Sequence, residues 1–191
     1  MFASLTDPDV ITCLNNGGVV VIPTDTMYGV VARASNRPAV ERVYSVRGRP
    51  PEKPCIMLVA SQEQITDTSL WTGMHTDLAN KYWPGALSLV APTAHTEPYL
   101  HRGTHTLAYR MPAREDLRNL LAHTGPIIAP SANPAGLPPA TTVREAQDYF
   151  GDVVDGYVDG GTLPGNAPST VVGVENGHIQ IFRQGVVKIK N

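Results

Sequence analysis

Polar side chains that could bind a substrate are concentrated in residues 23–29, Pro-Thr-Asp-Thr-Met-Tyr-Gly. The segment follows the apolar run 19–22, so its hydroxyl, carboxylate and phenol groups begin where a buried strand would end. Proline stops the hydrogen bonding of a strand, and glycine permits a sharp turn. We predict a loop that lines a cleft here, with an ordinary hydrogen-bonded turn as the alternative.

Three cations form a second candidate group. They follow a predicted helix and are Arg47, Arg49 and Lys53. A guanidinium group binds phosphate or carboxylate through parallel hydrogen bonds, and lysine adds a point charge. Residues 33–53 carry six basic and two acidic side chains, a local charge of +4 in a chain of net charge −2. This imbalance predicts a local anion site rather than a surface for polyanions in general. A solvated surface segment is the alternative.

More polar groups stand at the ends of other predicted strands: Arg110, Ser131, Asn133, Ser169 and Arg183. Hydroxyl, amide and guanidinium groups bind ribose, phosphate or carboxylate without changing their own protonation state. Ser131 lacks the G-x-S-x-G surroundings of a nucleophilic serine, so covalent serine catalysis is not predicted. For either arginine taken alone, an ordinary surface salt bridge is the alternative.

Several common site motifs are absent from the sequence. It contains neither a G-x-x-x-x-G-K-[ST] phosphate loop nor a G-x-G-x-x-G dinucleotide fingerprint. His95, His101 and His105 have no cysteine or carboxylate partners at ligand spacing, so we predict no protein-bound metal. No pair of carboxylates stands out as a general acid and base.

The elements that would position these groups alternate early and become strand-rich late. Helices are predicted to begin near Asp7, Pro38, Ser61, His75, Arg114 and Thr142, with capping boxes at Ser61 and Thr142. Strands are predicted at residues 19–22, 55–60, 86–91, 105–110, 126–129, 153–158, 170–174, 178–182 and 186–189. This order predicts an α/β fold: one domain, residues 1–191, with a mixed parallel and antiparallel sheet flanked by helices.

Composition limits the class of protein. The 191 residues are 42% hydrophobic, enough for a core, and 17 prolines with 17 glycines fall short of a disordered composition. Cys13 and Cys55 lack metal-ligand spacing and are interpreted as thiols in a reducing compartment. No apolar run could span a bilayer and residues 1–9 do not resemble a signal peptide, so we expect a cytoplasmic protein with no membrane partner.

Taken together, the motifs resemble the YrdC-like threonylcarbamoyl-AMP synthase family of the single-domain TsaC type. Residues 23–29 look like its P-T-D-T-x-Y-G signature, residues 47–49 stand where it has Lys-x-Arg, and residues 131–133 match its Ser-x-Asn element. Trp83-Pro84-Gly85, Arg110-Met111-Pro112, Ser169-Thr170-Val171-Val172 and Arg183-Gln184-Gly185 also follow the order of that family. The resemblance extends from about Val19 to Gly185.

The resemblance implies a YrdC-like fold and a nucleotidyltransferase with ATP, L-threonine and bicarbonate as substrates. The threonine amine is carboxylated to a carbamate, which attacks the α-phosphorus of ATP and expels pyrophosphate. Mg²⁺ accompanies ATP. Downstream transferase proteins then use the threonylcarbamoyl-adenylate to modify tRNA, and the synthase itself makes a weak contact with tRNA.

The resemblance also implies a role for each matched residue. Arg47 and Arg49 are the catalytic cations, and the family has lysine where this chain has Arg47, so Arg47→Lys is expected to keep or raise activity. The residues expected to bind ATP are Arg49, Lys53, Thr106, Ser131, Asn133 and Arg183. Those expected to bind threonine are Thr26, Tyr28, Arg110 and Ser169.

Two other functions stay open at this stage. The basic segment 33–53 would also suit an RNA- or ribosome-binding factor on the same fold, although the net charge of −2 disfavours broad affinity for polyanions. A carbamoyltransferase-like domain that uses carbamoyl phosphate is the other alternative.

Overall fold

The computed structural model describes residues 1–163 and 168–189. Its helices are α1 (Pro8–Asn15), α2 (Arg37–Arg47), α3 (Gly73–Tyr82), α4 (Pro98–His101), α5 (Glu115–Thr124) and α6 (Val143–Phe150). Short 3₁₀ turns occupy Gln62–Gln64 and Gly151–Val153. The strands are β1 (Val20–Pro23), β2 (Tyr28–Arg33), β3 (Met57–Leu58), β4 (Leu87–Pro92), β5 (Thr106–Arg110), β6 (Ile127–Ile128), β7 (Gly156–Tyr157), β8 (Thr170–Glu175) and β9 (His178–Arg183).

These strands form one sheet in the order β7-β1-β2-β6-β3-β5-β4-β8-β9. The pairs β1–β7, β3–β5 and β4–β8 are parallel, whereas the remaining neighbours in the described residues are antiparallel. The predicted α/β class with a mixed sheet flanked by helices is therefore confirmed. The assignment of residues 1–191 to one domain stays a prediction.

Helices cover both faces of the sheet, which explains why strand β1 is apolar at every position. Val20 and Ile22 belong to a buried cluster that includes side chains of α1 and α5. Val19 and Val21 belong to a second cluster that includes side chains of α2, α3 and α6. A strand that is buried on both faces has a continuous apolar sequence instead of an alternating one.

The helix starts follow local capping chemistry. The Asp7 carboxylate accepts a hydrogen bond from the Asp9 amide at 2.9 Å, and Pro8 occupies the first turn of α1. At α6, the Thr142 hydroxyl accepts from the Glu145 amide at 3.2 Å, as predicted. The capping box predicted at Ser61 is wrong, because Ser61 makes no capping hydrogen bond and only a 3₁₀ turn follows it.

Two strand predictions were also wrong. Strand β2 was not predicted, because its first residues, Tyr28 and Gly29, were assigned to the polar loop before it. Residues 186–189 were predicted to form a strand and do not. No helix within residues 1–163 or 168–189 combines the length and the hydrophobicity that crossing a bilayer requires.

Candidate functional site

A cleft of about 540 Å³ collects most of the polar groups that the sequence singled out. Pockets of this volume are typical of small-molecule sites. The predicted site residues that line it are Thr26, Tyr28, Arg49, Arg110, Ser131, Ser169 and Arg183. Four other predicted residues, Arg47, Lys53, Thr106 and Asn133, are not part of its lining.

The loop between β1 and β2 is shaped by a buried threonine that the sequence analysis did not assign to the site. The Thr24 hydroxyl accepts hydrogen bonds from the amides of Thr26 and Met27, each at 3.2 Å, and donates to the Met27 carbonyl at 2.7 Å. Thr24 is buried, and its side chain replaces water for the backbone of a tight turn. This turn presents Thr26 to the cleft.

Tyr28 ties the start of β2 to a neighbouring loop. Its buried hydroxyl donates to the Gly161 carbonyl at 2.8 Å and accepts from the Gly160 amide at 2.8 Å. A Cβ atom on Gly160 would collide with Pro23, so the close approach of these two segments requires glycine. Burial is the main cause that raises the pKa of Tyr28. The phenol therefore remains protonated and fixes the wall of the cleft.

Arg110, at the end of β5, is the most buried of the arginines that line the cleft. Its Nη1 donates to the Thr26 hydroxyl at 3.0 Å, and its Nη2 lies 3.3 Å from Asp25 Oδ1. Burial lowers the pKa of Arg110, the Asp25 carboxylate raises it, and the charge of Arg183 lowers it, with a net lowering. Arg110 Nε is buried and has no hydrogen-bond partner among the described residues.

Arg47 faces inward and holds the element that follows β6. Its Nε donates to the Asn133 carbonyl at 2.9 Å, and its Nη2 donates to Asn133 Oδ1 at 3.1 Å and to Ser131 Oγ at 3.3 Å. The Ser131 hydroxyl donates to Asn133 Oδ1 at 2.7 Å, while Asn133 Nδ2 donates to the carbonyls of Pro134 and Leu137. Ser131 thus lines the cleft, whereas Asn133 and Arg47 support it from behind.

This arrangement places Arg47 behind the lining of the cleft, and its catalytic role stays a prediction. Gly48 ends α2 with a φ of 57°, in the left-handed conformation that glycine adopts without strain. The reversal points Arg47 into the protein and leaves Arg49 at the cleft. Burial and the charge of Arg49 lower the pKa of Arg47 to about 10, so it remains charged at neutral pH.

Arg49 is held by main-chain carbonyls of its own loop. Its Nε donates to the Lys53 carbonyl at 3.1 Å, and its Nη2 donates to the Pro54 carbonyl at 2.8 Å. The Lys53 side chain is exposed and does not line the cleft, so its expected contact with ATP has no support from its position.

On the opposite wall, Ser169 precedes β8 and Arg183 ends β9. Arg183 Nη2 donates to the Ser169 hydroxyl and carbonyl, each at 3.0 Å, and the Ser169 hydroxyl lies 2.8 Å from that of the fully buried Ser88. Partial burial and the charge of Arg49 lower the pKa of Arg183. Residues 164–167, which precede Ser169 by a few positions, lie outside the described residues.

Thr106 does not line the cleft, and its contact with the nucleotide stays a prediction. It begins β5, whereas Arg110 ends it, so their Cα atoms are about 13 Å apart at about 3.3 Å per strand residue. The Thr106 hydroxyl instead donates to the Thr104 hydroxyl at 3.2 Å.

The basic segment 33–53 does not form the single anion site that its charge predicted. Arg42 forms a bidentate pair with Asp155, with a shortest distance of 2.6 Å, and Arg37 lies over the ring of Tyr99. Of the six cations in the segment, Arg49 is the one that lines the cleft. The remaining positive charge of the cleft comes from β5 and β9, which sequence order alone does not bring near Arg49.

Sequence reasoning also missed the apolar wall of the cleft. Pro138, Pro139, Ala140 and Leu163 line it, together with Cys55. The prolines were visible in the sequence as a stiff segment, but no local pattern indicates that this segment folds over a pocket. Among the described residues, no group of three or more His, Cys, Asp or Glu side chains could hold a metal ion.

Known proteins resemble this chain in sequence. The profile of the Sua5, YciO and YrdC proteins, described as "Telomere recombination", matches residues 12–185. The threonylcarbamoyl-AMP synthase of Pyrococcus abyssi (strain GE5 / Orsay) is 35% identical over 176 residues, 90% of this chain and 52% of that protein. The putative threonylcarbamoyl-AMP synthase of Mycobacterium leprae (strain TN) is 35% identical over 182 residues, 94% of this chain and 82% of that protein.

A solved structure of a relative has the same fold as this chain. The crystal structure of P. abyssi Sua5 complexed with L-threonine has a TM-score of 0.87 and 32% sequence identity, and the match covers 93% of this chain and 53% of that one. The chain thus spans about half the length of the Pyrococcus relative. Because the family profile covers most of the sequence and the fold agrees, the chain belongs to the Sua5/YciO/YrdC family.

Proposed function

We propose that this protein is an L-threonylcarbamoyladenylate synthase, which forms threonylcarbamoyl-AMP and pyrophosphate from ATP, L-threonine and bicarbonate. One observation carries the proposal: a single cleft holds the guanidinium groups of Arg49, Arg110 and Arg183 beside the hydroxyls of Thr26, Ser131 and Ser169. All the substrates carry anionic groups, and three separated cations suit a carboxylate and a polyphosphate bound side by side. The names of two relatives, both called threonylcarbamoyl-AMP synthases, support the same activity.

We assign the threonine carboxylate to Arg110. Arg110 lines the cleft, and its Nη1 already holds the Thr26 hydroxyl in place. A guanidinium group binds a carboxylate through parallel hydrogen bonds. The Thr26 hydroxyl is within reach of the same ligand, because it lines the cleft beside the guanidinium group. Tyr28 would act indirectly, as a buried support of the loop, since its hydroxyl is already paired with residues 160 and 161.

We assign the triphosphate to Arg49, Arg183 and the Ser131 hydroxyl. Arg49 and Arg183 are less buried than Arg110, as suits residues that meet a large, highly charged ligand. ATP would enter as its magnesium complex. The prolines and Leu163 of the apolar wall would then pack against the base or the ribose.

The chemistry requires positioning and charge stabilisation rather than a protein nucleophile. The threonine nitrogen attacks the carbon of bicarbonate, and loss of water leaves a carbamate. A carbamate oxygen then attacks the α-phosphorus, the bond to the β-phosphate oxygen breaks, and pyrophosphate leaves with the electron pair. Fixed guanidinium groups stabilise the charge that moves onto the phosphate oxygens.

The experiment is a pyrophosphate-release assay with ATP, L-threonine and bicarbonate, from which each component is omitted in turn. We expect release that requires all three, and an adduct of threonine, carboxylate and AMP in the mass spectrum. Absence of release, under conditions in which a characterised synthase is active, would contradict the proposal.

Two added samples test the other functions. Carbamoyl phosphate in place of bicarbonate and threonine tests the carbamoyltransferase alternative, and tRNA tests the alternative of an RNA-binding factor. The positions of the cations in segment 33–53 disfavour an RNA-binding factor, because Arg42 is paired with Asp155 and Arg47 is buried. We further propose that partner proteins transfer the product to tRNA, because a mixed carboxylic–phosphoric anhydride is a reactive intermediate that needs an acceptor.

A further inference from the structure

A buried tyrosine near Arg49 has two arginine side chains close to its ring. Tyr44 on α2 is 6% exposed, and its ring centroid lies 6.0 Å from Cζ of Arg49 and 3.8 Å from Cζ of Arg102. Guanidinium groups are attracted to aromatic rings at such distances, most strongly where water is excluded. The proposed reaction uses neither Tyr44 nor Arg102.

The hydroxyl of Tyr44 shares an acceptor with Arg49. Tyr44 Oη donates to the Lys53 carbonyl at 2.9 Å, and Arg49 Nε donates to the same oxygen at 3.1 Å. Arg49 Nη2 is occupied by the Pro54 carbonyl. Tyr44 therefore fixes the carbonyl that orients Arg49, while its ring faces the same guanidinium group.

Arg102 packs closely against the Tyr44 ring. Its side chain is 10% exposed and forms an ion pair with Glu41 at 3.0 Å. Its Nε and Nη2 are buried without a hydrogen-bond partner among the described residues. Buried donors without partners are destabilising and occur only where other contacts of the same group compensate, and the stack on Tyr44 is such a contact.

We propose that Tyr44, supported by Arg102, is a positioning residue that sets the orientation of Arg49 toward the triphosphate. The identity of the ligand rests on the proposed function, whereas the positioning of Arg49 does not. A free arginine side chain loses conformational freedom when it binds an anion, and one that is already held loses less. Removing the support should therefore weaken nucleotide binding without removing any group that touches the nucleotide.

The first test needs no ligand. In ¹⁵N NMR spectra of the protein, the Arg49 Nε–H signal reports how well that group is held, and we compare its hydrogen exchange in wild type and Tyr44→Phe. Loss of one hydrogen bond to the shared carbonyl should speed this exchange about fivefold. Tyr157→Phe is the matched control, because Tyr157 is also buried and also donates to one main-chain carbonyl, that of Gly151, at 2.6 Å.

The second test measures ATP binding by titration in the same variants. Tyr44→Phe should weaken ATP binding about fivefold in the wild-type background and leave it unchanged in an Arg49→Ala background, because Tyr44 acts through Arg49. A structural defect alone would weaken binding in both backgrounds. Arg102→Gln removes the stack on the Tyr44 ring without touching the Lys53 carbonyl, and it should shift exchange and binding in the same direction.

The outcomes separate this proposal from the proposed function. Faster Arg49 exchange in Tyr44→Phe and Arg102→Gln, with no change in Tyr157→Phe, supports positioning even if the wild type releases no pyrophosphate. Unchanged Arg49 exchange in both variants overturns the proposal, even in a fully active synthase. An equal effect of Tyr157→Phe on Arg49 exchange also overturns it, since the effect would then be general loosening of the fold.

Discussion

Arg110 shows at the scale of one residue how burial prepares a group for a ligand. It is 4% exposed, and Thr26 and Asp25 contact its two terminal nitrogens. Its Nε remains unpaired among the described residues, and Asp25 Oδ1 also lacks a hydrogen bond there. The contacts with Thr26 and Asp25 therefore hold the guanidinium group in place before any ligand binds.

Arg110→Lys tests this role. Lysine keeps the charge but cannot donate in the planar, two-point geometry, so the KM for threonine should rise about tenfold or more. The KM for ATP should change less than the KM for threonine. Steady-state pyrophosphate release, with each substrate varied, measures both constants. Arg114→Lys is the control, because Arg114 pairs with Asp116 outside the cleft lining, and a threonine KM equal to that of the control would contradict the assignment.

We now expect Arg47→Lys to impair the protein, whereas the resemblance implied that this change would keep or raise activity. The guanidinium group of Arg47 makes three hydrogen bonds to Ser131 and Asn133 from a buried position, and a lysine ammonium group cannot reproduce that geometry. We expect a loss of about 1–3 kcal/mol in the free energy of unfolding and a higher KM for ATP. Urea denaturation and kinetics measure the two effects. Arg42→Lys on the same helix should change neither by a comparable amount, and wild-type activity in Arg47→Lys would contradict the supporting role.

At the scale of elements, one carboxylate holds the segment between β4 and α4. Asp67 is 7% exposed, and its Oδ2 accepts hydrogen bonds from the amides of Ala94, His95 and Thr96 at 2.9, 2.7 and 3.0 Å. The hydroxyls of Thr93 and Thr96 donate to the same oxygen. Burial raises the pKa of Asp67, but these hydrogen bonds outweigh burial and hold the pKa well below its ordinary range.

Asp67→Asn should therefore destabilise the protein. An amide oxygen is a weaker acceptor than a carboxylate, and the loss should be about 2–4 kcal/mol in the free energy of unfolding at neutral pH. Because the folded-state pKa lies below the ordinary 3.8, the contribution of Asp67 is complete above that value and is lost as the pH falls below it. Urea denaturation between pH 3 and 7 should show the difference between wild type and variant shrinking at the acidic end. Asp148→Asn on the exposed face of α6 is the control, and equal losses in both variants would contradict the role of Asp67.

The sequence predicted elements best where a local pattern decides them. The caps at Asp7 and Thr142 depend on neighbouring residues alone, and both were found. Strand β2 pairs with β1, and the sequence did not predict it because its first residue, Tyr28, is polar. The apolar run 55–60 yields only the two-residue strand β3, because its ladder length is set by partners distant in sequence.

For the site residues too, the sequence predicted what local motifs decide and missed what distant contacts decide. The motif order identified Thr26, Arg49 and Ser131, which line the cleft. The motif could not show which of Arg47 and Arg49 lines the cleft, because both residues are arginines. Their different positions go with the reversal of the backbone at Gly48 between them. The predicted strand 105–110 already separated Thr106 from Arg110, but which end of that strand reaches the cleft depends on the rest of the sheet.

The whole molecule has a net charge of −2, yet its cleft is lined by three arginines. The charge of Arg49 lowers the pKa of Arg183, and the charge of Arg183 lowers that of Arg110, so these cations repel one another in the free protein. A bound anion relieves this repulsion and binds the folded state alone. Anion binding should therefore stabilise the entire fold.

Pyrophosphate, as a product of the proposed reaction, is the probe for this effect. At about 100 times its Kd it should add about 2.7 kcal/mol of stability, or about 5–10 °C in Tm for a chain of this size. Differential scanning calorimetry measures the shift against sodium chloride of equal ionic strength, which should produce little change. Arg49→Ala should lose most of the shift, whereas Arg144→Ala, an exposed position on α6, should keep it. A shift of equal size in both variants would mean that pyrophosphate binds elsewhere on the protein, and the cleft would lose its assignment as the polyphosphate site.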